Sequence, residues 1–129
     1  MSSRLLGNWL KEYIKFTASS EAPDKFHFWT GVSTIAGALR RRVWIDMGHF
    51  QWVPNFYIIL VAPPGIVSKS TTLSIGMNML KELEGIKFGP DVVTWQALIQ
   101  SLASAHTLTL MPDGTYIPMS CITIASSEF

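Results

Sequence analysis

Apolar positions in the first forty residues recur every three or four places. Leu5, Leu6, Trp9, Leu10, Tyr13 and Ile14 form one stripe, with Lys11, Glu12 and Lys15 between them. That spacing predicts an amphipathic helix from near Ser3 to just before Ser19-Ser20. After the break Ser20-Glu21-Ala22-Pro23-Asp24, a second stripe of Phe26, Trp29, Val32, Ile35, Ala36 and Leu39 runs up to Arg40-Arg41-Arg42. Gly31, Ala36, Gly37 and Ala38 in that helix are small enough to let a neighbour pack closely. The period then shortens. Val43-Trp44-Ile45-Asp46-Met47 and Phe50-Gln51-Trp52-Val53 flank Gly48-His49 and predict two short strands around a turn. Beyond Pro54-Asn55, Phe56-Tyr57-Ile58-Ile59-Leu60-Val61 is apolar with almost no alternation, the pattern of a strand covered on both faces in a parallel sheet.

The second half repeats the alternation of element types. Leu73, Ile75, Met77, Leu80 and Leu83 predict a helix from about Lys69 to Glu84, stopped by Gly85. Ile86-Lys87-Phe88 reads as a short strand before the turn Gly89-Pro90-Asp91, and Thr94 is placed to cap a helix running to Ala103. Thr107-Leu108-Thr109-Leu110-Met111 and Thr115-Tyr116-Ile117 flank Pro112-Asp113-Gly114, a hairpin signal. Cys121-Ile122-Thr123-Ile124-Ala125 reads as another buried strand, ending in Ser126-Ser127-Glu128-Phe129. Strands alternating with helices predict an α/β fold with ligands at the carboxyl ends of the strands, where Ser70 and Glu128 would lie.

Between the apolar run and the helix after it stands Ala62-Pro63-Pro64-Gly65-Ile66-Val67-Ser68-Lys69-Ser70-Thr71-Thr72. Strand, tight loop and Lys-Ser at a helix start is the order a phosphate-binding loop requires. Backbone N–H groups wrap the phosphates and the helix N-terminus adds partial positive charge. Pro64, Gly65, Ser68, Lys69, Ser70 and Thr71 are the candidate binding residues, with Lys69 reaching the terminal phosphates and the Ser70 hydroxyl a ligand for magnesium. The loop departs from G-x-x-x-x-G-K-[ST]. Ser68 holds the second glycine position and Pro63 the first, or else one residue is inserted after an Ala-Pro-Pro-Gly opening. A serine forced into a glycine-like backbone geometry before the lysine costs about 1–2 kcal/mol. Glu128, at the tip of the last strand, is the candidate carboxylate to polarise an attacking water, while Ser127 occupies the expected metal-side position.

Composition narrows the classes. A hydrophobic fraction of 48% against 15% charged residues excludes a disordered chain and predicts a sizeable core. A net charge of +1 gives no overall field for nucleic acid or membrane. From Val92 on, only Asp113 and Glu128 are charged, so this part is expected to be buried or to lie against another subunit. One cysteine, Cys121, excludes an intrachain disulfide and a thiolate-rich zinc site. No secretory signal and no apolar run near the ~20 residues of a membrane span are present, so a reducing cytoplasm is expected. His27, His49 and His106 lack metal-ligand spacing. Trp9, Trp29, Trp44, Trp52 and Trp95 fall at positions expected to face the core. Arg40-Arg41-Arg42 is expected to complement the dipole of the preceding helix.

Several of these segments together resemble a known family. Pro54-Asn55-Phe56-Tyr57, Ala62-Pro63-Pro64-Gly65, Lys69-Ser70-Thr71-Thr72, Gly89-Pro90-Asp91, Thr94-Trp95-Gln96-Ala97-Leu98 and Ile124-Ala125-Ser126-Ser127-Glu128-Phe129 carry the likeness. It is to P-loop ATPases of phages and mobile elements, replication proteins of the primase–helicase kind with a RecA-like core. The resemblance implies ATP or GTP bound with magnesium, hydrolysis, and motor action on single-stranded DNA by a homo-oligomeric ring. Lys69 would match the phosphate lysine, Ser70 the magnesium hydroxyl and Glu128 the catalytic carboxylate.

The expected architecture is thus a partial RecA-like P-loop core with a mostly parallel sheet over residues 54–129, preceded by a helical lead-in and hairpin over residues 1–53. Such a core needs further strands, a sensor residue and an arginine finger beyond Phe129, so the chain reads as the N-terminal part of a longer protein or as a truncated copy, inactive alone. The competing expectation is a non-catalytic assembly or interaction module with a degenerate or truncated loop. A small-molecule kinase shares the loop but needs substrate-binding arginines after it, and none follows Arg42.

Overall fold

In a computed structural model describing residues 5–91, 93–111 and 113–126, the chain forms helices α1 (Trp9–Thr17), α2 (Asp24–Leu39), α3 (Lys69–Lys81) and α4 (Trp95–Ser104). Strands β1 (Ile45–Asp46) and β2 (Gln51–Trp52) make one antiparallel ladder, and β3 (His106–Leu110) and β4 (Tyr116–Ser120) another. The expected helix start near Ser3, together with Pro112 and the final Ser127, Glu128 and Phe129, lies outside the described residues. Among the described residues no helix is long and apolar enough to cross a membrane.

Local chemistry accounts for the elements. Asn8 caps α1 by accepting from the Lys11 N–H at 3.1 Å, and Glu12 pairs with Lys15 at 2.7 Å along its exposed face. Thr94 caps α4 through the Ala97 N–H at 3.2 Å, as its position predicts. In the β3–β4 turn Asp113 accepts from both the N–H and the hydroxyl of Thr115, which holds its carboxyl below the usual carboxylate range.

The core is α2 packed between α1 and α3, and it is made of small residues. A Cβ added at Gly31 would stand 2.7 Å from Leu10 Cδ1, and one at Gly76 would stand 2.6 Å from Thr34 Oγ1 and 2.8 Å from Thr30 Cγ2. At each glycine the side chains of one helix therefore rest directly on the backbone of the next. Thr17, Thr30, Thr34 and Thr72 are buried beside Tyr13, Ala36 and Leu80. Three of those threonines satisfy their hydroxyls within their own helix or at its start: Thr17 donates to Tyr13 O, Thr34 to Thr30 O and Thr72 to Ser68 O. Bonded in this way, a threonine fills space as a small apolar side chain would.

His27 in α2 is 1% exposed and neither ring nitrogen has a hydrogen-bond partner. Burial pushes its pKa below the ordinary 6.5, and the nearby Asp24 opposes that only in part. In the folded state the ring stays neutral where the unfolded chain would bind a proton. Stability is therefore expected to fall as pH drops from about 6.5 through the lowered folded-state value. Urea denaturation at pH 7.5 and pH 5.5 measures this, and His27→Leu should flatten the step between the two.

The expected mostly parallel, RecA-like sheet is not formed. The chain has four helices and two small antiparallel ladders among its described residues. Residues 56–61 make no strand, and Phe56, Tyr57, Ile59 and Val61 are exposed. A strand without alternation needs neighbours on both sides to bury both faces. Here a space of about 420 Å³ separates the segment 53–56 from residues 120–124. Among the described residues the one parallel pairing is the isolated bridge between Phe88 and Thr123, held by Gly89 N–H to Thr123 O and Thr123 N–H to Lys87 O, each 2.9 Å. It is all that forms of the expected strands at 86–88 and 121–125. The tryptophans also depart from expectation, with Trp29, Trp52 and Trp95 exposed. In the weakly charged C-terminal region Leu108, Leu110 and Tyr116 face outward, so of the two expectations burial within this chain's own core is not met there.

Candidate functional site

The loop before α3 is built by a turn at Pro64, Gly65 and Ile66. Gly65 has φ +76°, and a Cβ there would meet nothing within 4 Å. Glycine is therefore favoured by backbone conformation rather than by crowding. Ser68 has φ −79° and ψ 65°, the common inverse γ-turn conformation, closed by the Lys69 N–H to Val67 O. The cost expected for a serine in the position before Lys69 is thus absent, and the departure from a second glycine is accommodated by this backbone.

Lys69 closes the loop. Its ammonium donates to the Ala62 carbonyl at 2.9 Å, bridging the loop from helix start to loop start. Its own N–H donates to Val67 O at 2.9 Å, and the Thr72 N–H to Ser68 O at 3.1 Å. No side-chain hydrogen bond caps α3. The N–H groups of Ser70 and Thr71, in the first turn, are thereby left for an outside acceptor. Thr72 is fully buried against α2 and anchors the helix, whereas Ser70 and Thr71 are exposed and Ser68 and Lys69 half-buried. The sequence run Lys-Ser-Thr-Thr thus divides into one packing residue and three that face the loop mouth or solvent.

Pro64, Gly65, Ser68, Lys69, Ser70 and Thr71 are brought together by this turn. Glu128, the expected carboxylate, lies outside the described residues. The Ala62 carbonyl is a participant that sequence reasoning missed, because a backbone acceptor leaves no side-chain signature.

Chemically the loop offers one ammonium, open first-turn N–H groups and the positive end of a 13-residue helix, all suited to an anion. For a cation it offers less. No cluster of three or more His, Cys, Asp or Glu side chains exists among the described residues. Toward a magnesium ion the loop offers the Ser70 hydroxyl alone, without the carboxylate that commonly joins phosphate oxygens and water around this ion. No protein-family description, no curated protein and no solved structure matches the chain.

Proposed function

We propose that residues 62–72 bind the phosphates of a nucleoside triphosphate, ATP in the first instance, together with magnesium. The observation that carries this reading is the Lys69 ammonium held at 2.9 Å by the Ala62 carbonyl, across a loop whose helix start is uncapped. A phosphate oxygen entering the loop exchanges a neutral acceptor for a charged one, and charge-assisted bonds are roughly twice as strong as neutral ones. The open N–H groups of Ser70 and Thr71 receive further oxygens, with the helix dipole adding about 0.3–1 kcal/mol. Magnesium supplies charge neutralisation between the phosphates when bound. The wider setting, a replication ATPase or DNA helicase of phage or mobile-element type, rests on the sequence resemblance, and hydrolysis in it is assigned to Glu128.

Titration with a fluorescent ATP analogue tests the reading. Saturable binding that magnesium strengthens and unlabelled ATP displaces is expected. Ser70→Ala should remove the magnesium enhancement and leave the magnesium-free affinity within about threefold. Fluorescence that ATP does not displace would remove the loop from consideration as a nucleotide site.

A second reading, a non-catalytic assembly module, is favoured by one observation. Phe56, Tyr57, Ile59 and Val61, directly before the loop, are exposed and form no strand. Apolar surface of that kind marks contact with another chain. This reading expects concentration-dependent association and no ATP turnover with single-stranded DNA, even with bound nucleotide.

A further inference from the structure

Beyond the loop, a second basic feature lies past the far end of α3. Arg40, Arg42 and Lys87 line one small recess, walled by Gly85, Thr107 and Cys121. Among the described residues no carboxylate lines it, and none of the three cations is in an ion pair. Three positive charges from separate points of the chain repel one another unless an anion joins them. Arg40 is held there at some expense. Its backbone takes φ 55°, a region L residues avoid, and its Nη1 donates to Gly85 O at 2.8 Å. Its Nε is buried and has no acceptor among the described residues. Burial, and then the neighbouring Arg42, lower the Arg40 pKa.

The recess is small, about 10 Å³, roughly the room one oxygen atom needs. It adjoins the 420 Å³ space described above, and Arg40 and Cys121 line both. That larger space has a mixed lining, with Pro54, Phe56, Leu102 and Ile122 beside the polar Arg41 and Asn55, and its size suits a small molecule. Charge and shape together describe a ligand with a compact anionic end and a larger body whose apolar face lies against Phe56, Leu102 and Ile122. Three unpaired cations match a dianion better than a carboxylate, and the guanidinium fork suits phosphate geometry.

We infer that the junction of α2, the segment around Lys87 and the β3–β4 ladder is a site for a phosphomonoester carrying an apolar or aromatic body. One phosphate oxygen enters the recess between Arg40, Arg42 and Lys87, and the body lies in the adjoining space against Phe56. The site is separate from the Lys69 loop, since Lys69 opens α3 and Gly85 follows its end, a helix length of about 18 Å away. It stands whether or not that loop binds nucleotide.

A fluorescence titration with 1-naphthyl phosphate tests this, with 1-naphthol and 1-naphthyl sulfate as controls. Naphthyl phosphate is expected to bind at least tenfold tighter than either control. Arg40→Gly, which suits the positive φ while deleting the guanidinium, should weaken it at least tenfold. The surface double variant Arg42→Ala/Lys87→Ala should do the same, which keeps the test decisive if Arg40→Gly fails to fold. Lys69→Ala should leave the affinity unchanged. Equal affinity for phosphate and naphthol, unchanged binding by the double variant, or loss of binding in Lys69→Ala would each overturn the inference.

Discussion

Lys69→Ala is expected to weaken binding of a magnesium–ATP analogue by about 1.5–3 kcal/mol, or roughly 10- to 150-fold. The substitution removes the one ammonium in the loop and leaves the Ala62 carbonyl without its present donor. Because Lys69 is half-buried and its side-chain bond is to a single backbone carbonyl, fold stability should change by no more than about 1 kcal/mol. Binding and stability are therefore expected to separate. Lys69→Arg should recover little affinity, because a planar guanidinium does not replace a compact ammonium inside a tight turn. Fluorescence titration and urea denaturation of the same preparations measure the two effects side by side.

Gly76→Leu is expected to destabilise the protein by about 2 kcal/mol or more. At this position a first side-chain carbon would already lie 2.6 Å from Thr34 Oγ1 and 2.8 Å from Thr30 Cγ2. Thr34 cannot swing aside freely, because its hydroxyl is committed to Thr30 O at 2.8 Å. Relief thus requires α2 and α3 to move apart, which uncovers Thr72 and Leu80, both buried by that contact region. The gain in helix propensity on replacing glycine, up to about 1 kcal/mol, offsets only part of this. Gly7→Ala, where an added carbon meets nothing within 4 Å, should shift the urea midpoint by less than about 0.5 kcal/mol equivalent.

The local elements were legible because each carries its own cause within a few residues. Thr94 caps α4, Asp113-Gly114 turns the β3–β4 hairpin, and the 3.6-residue stripe finds α2. The sheet was not legible, because a strand depends on partners that lie elsewhere in the chain. Residues 56–61 have a doubly buried strand's composition, but no ladder reaches them, and the same is true of 121–125 apart from Thr123. Expecting the aromatic and aliphatic residues to fill a large core also misjudged the packing. The helices approach so closely that Leu10 and Tyr13 rest on Gly31 and Thr30 and Thr34 on Gly76, and Trp29, Trp52 and Trp95 are left outside.

At the candidate site the legible part was the order Pro64-Gly65 before Lys69-Ser70, which places a left-handed glycine and an ammonium around one loop. The conformation of Ser68 was not legible, since φ is set by how the turn enters α3 rather than by residue type. The convergence of Arg40, Arg42 and Lys87 was hidden for a different reason. Three consecutive arginines after a helix read as dipole complements, and only the fold brings Lys87 beside them.

The reading of the loop is tested most directly by following backbone amide resonances as magnesium–ATP is added to the whole chain. Saturable shifts concentrated at Gly65, Ser68, Lys69, Ser70 and Thr71, lost in Lys69→Ala, are the expected result. Unperturbed loop amides at saturating ATP, or shifts confined to residues remote from the start of α3, would contradict it.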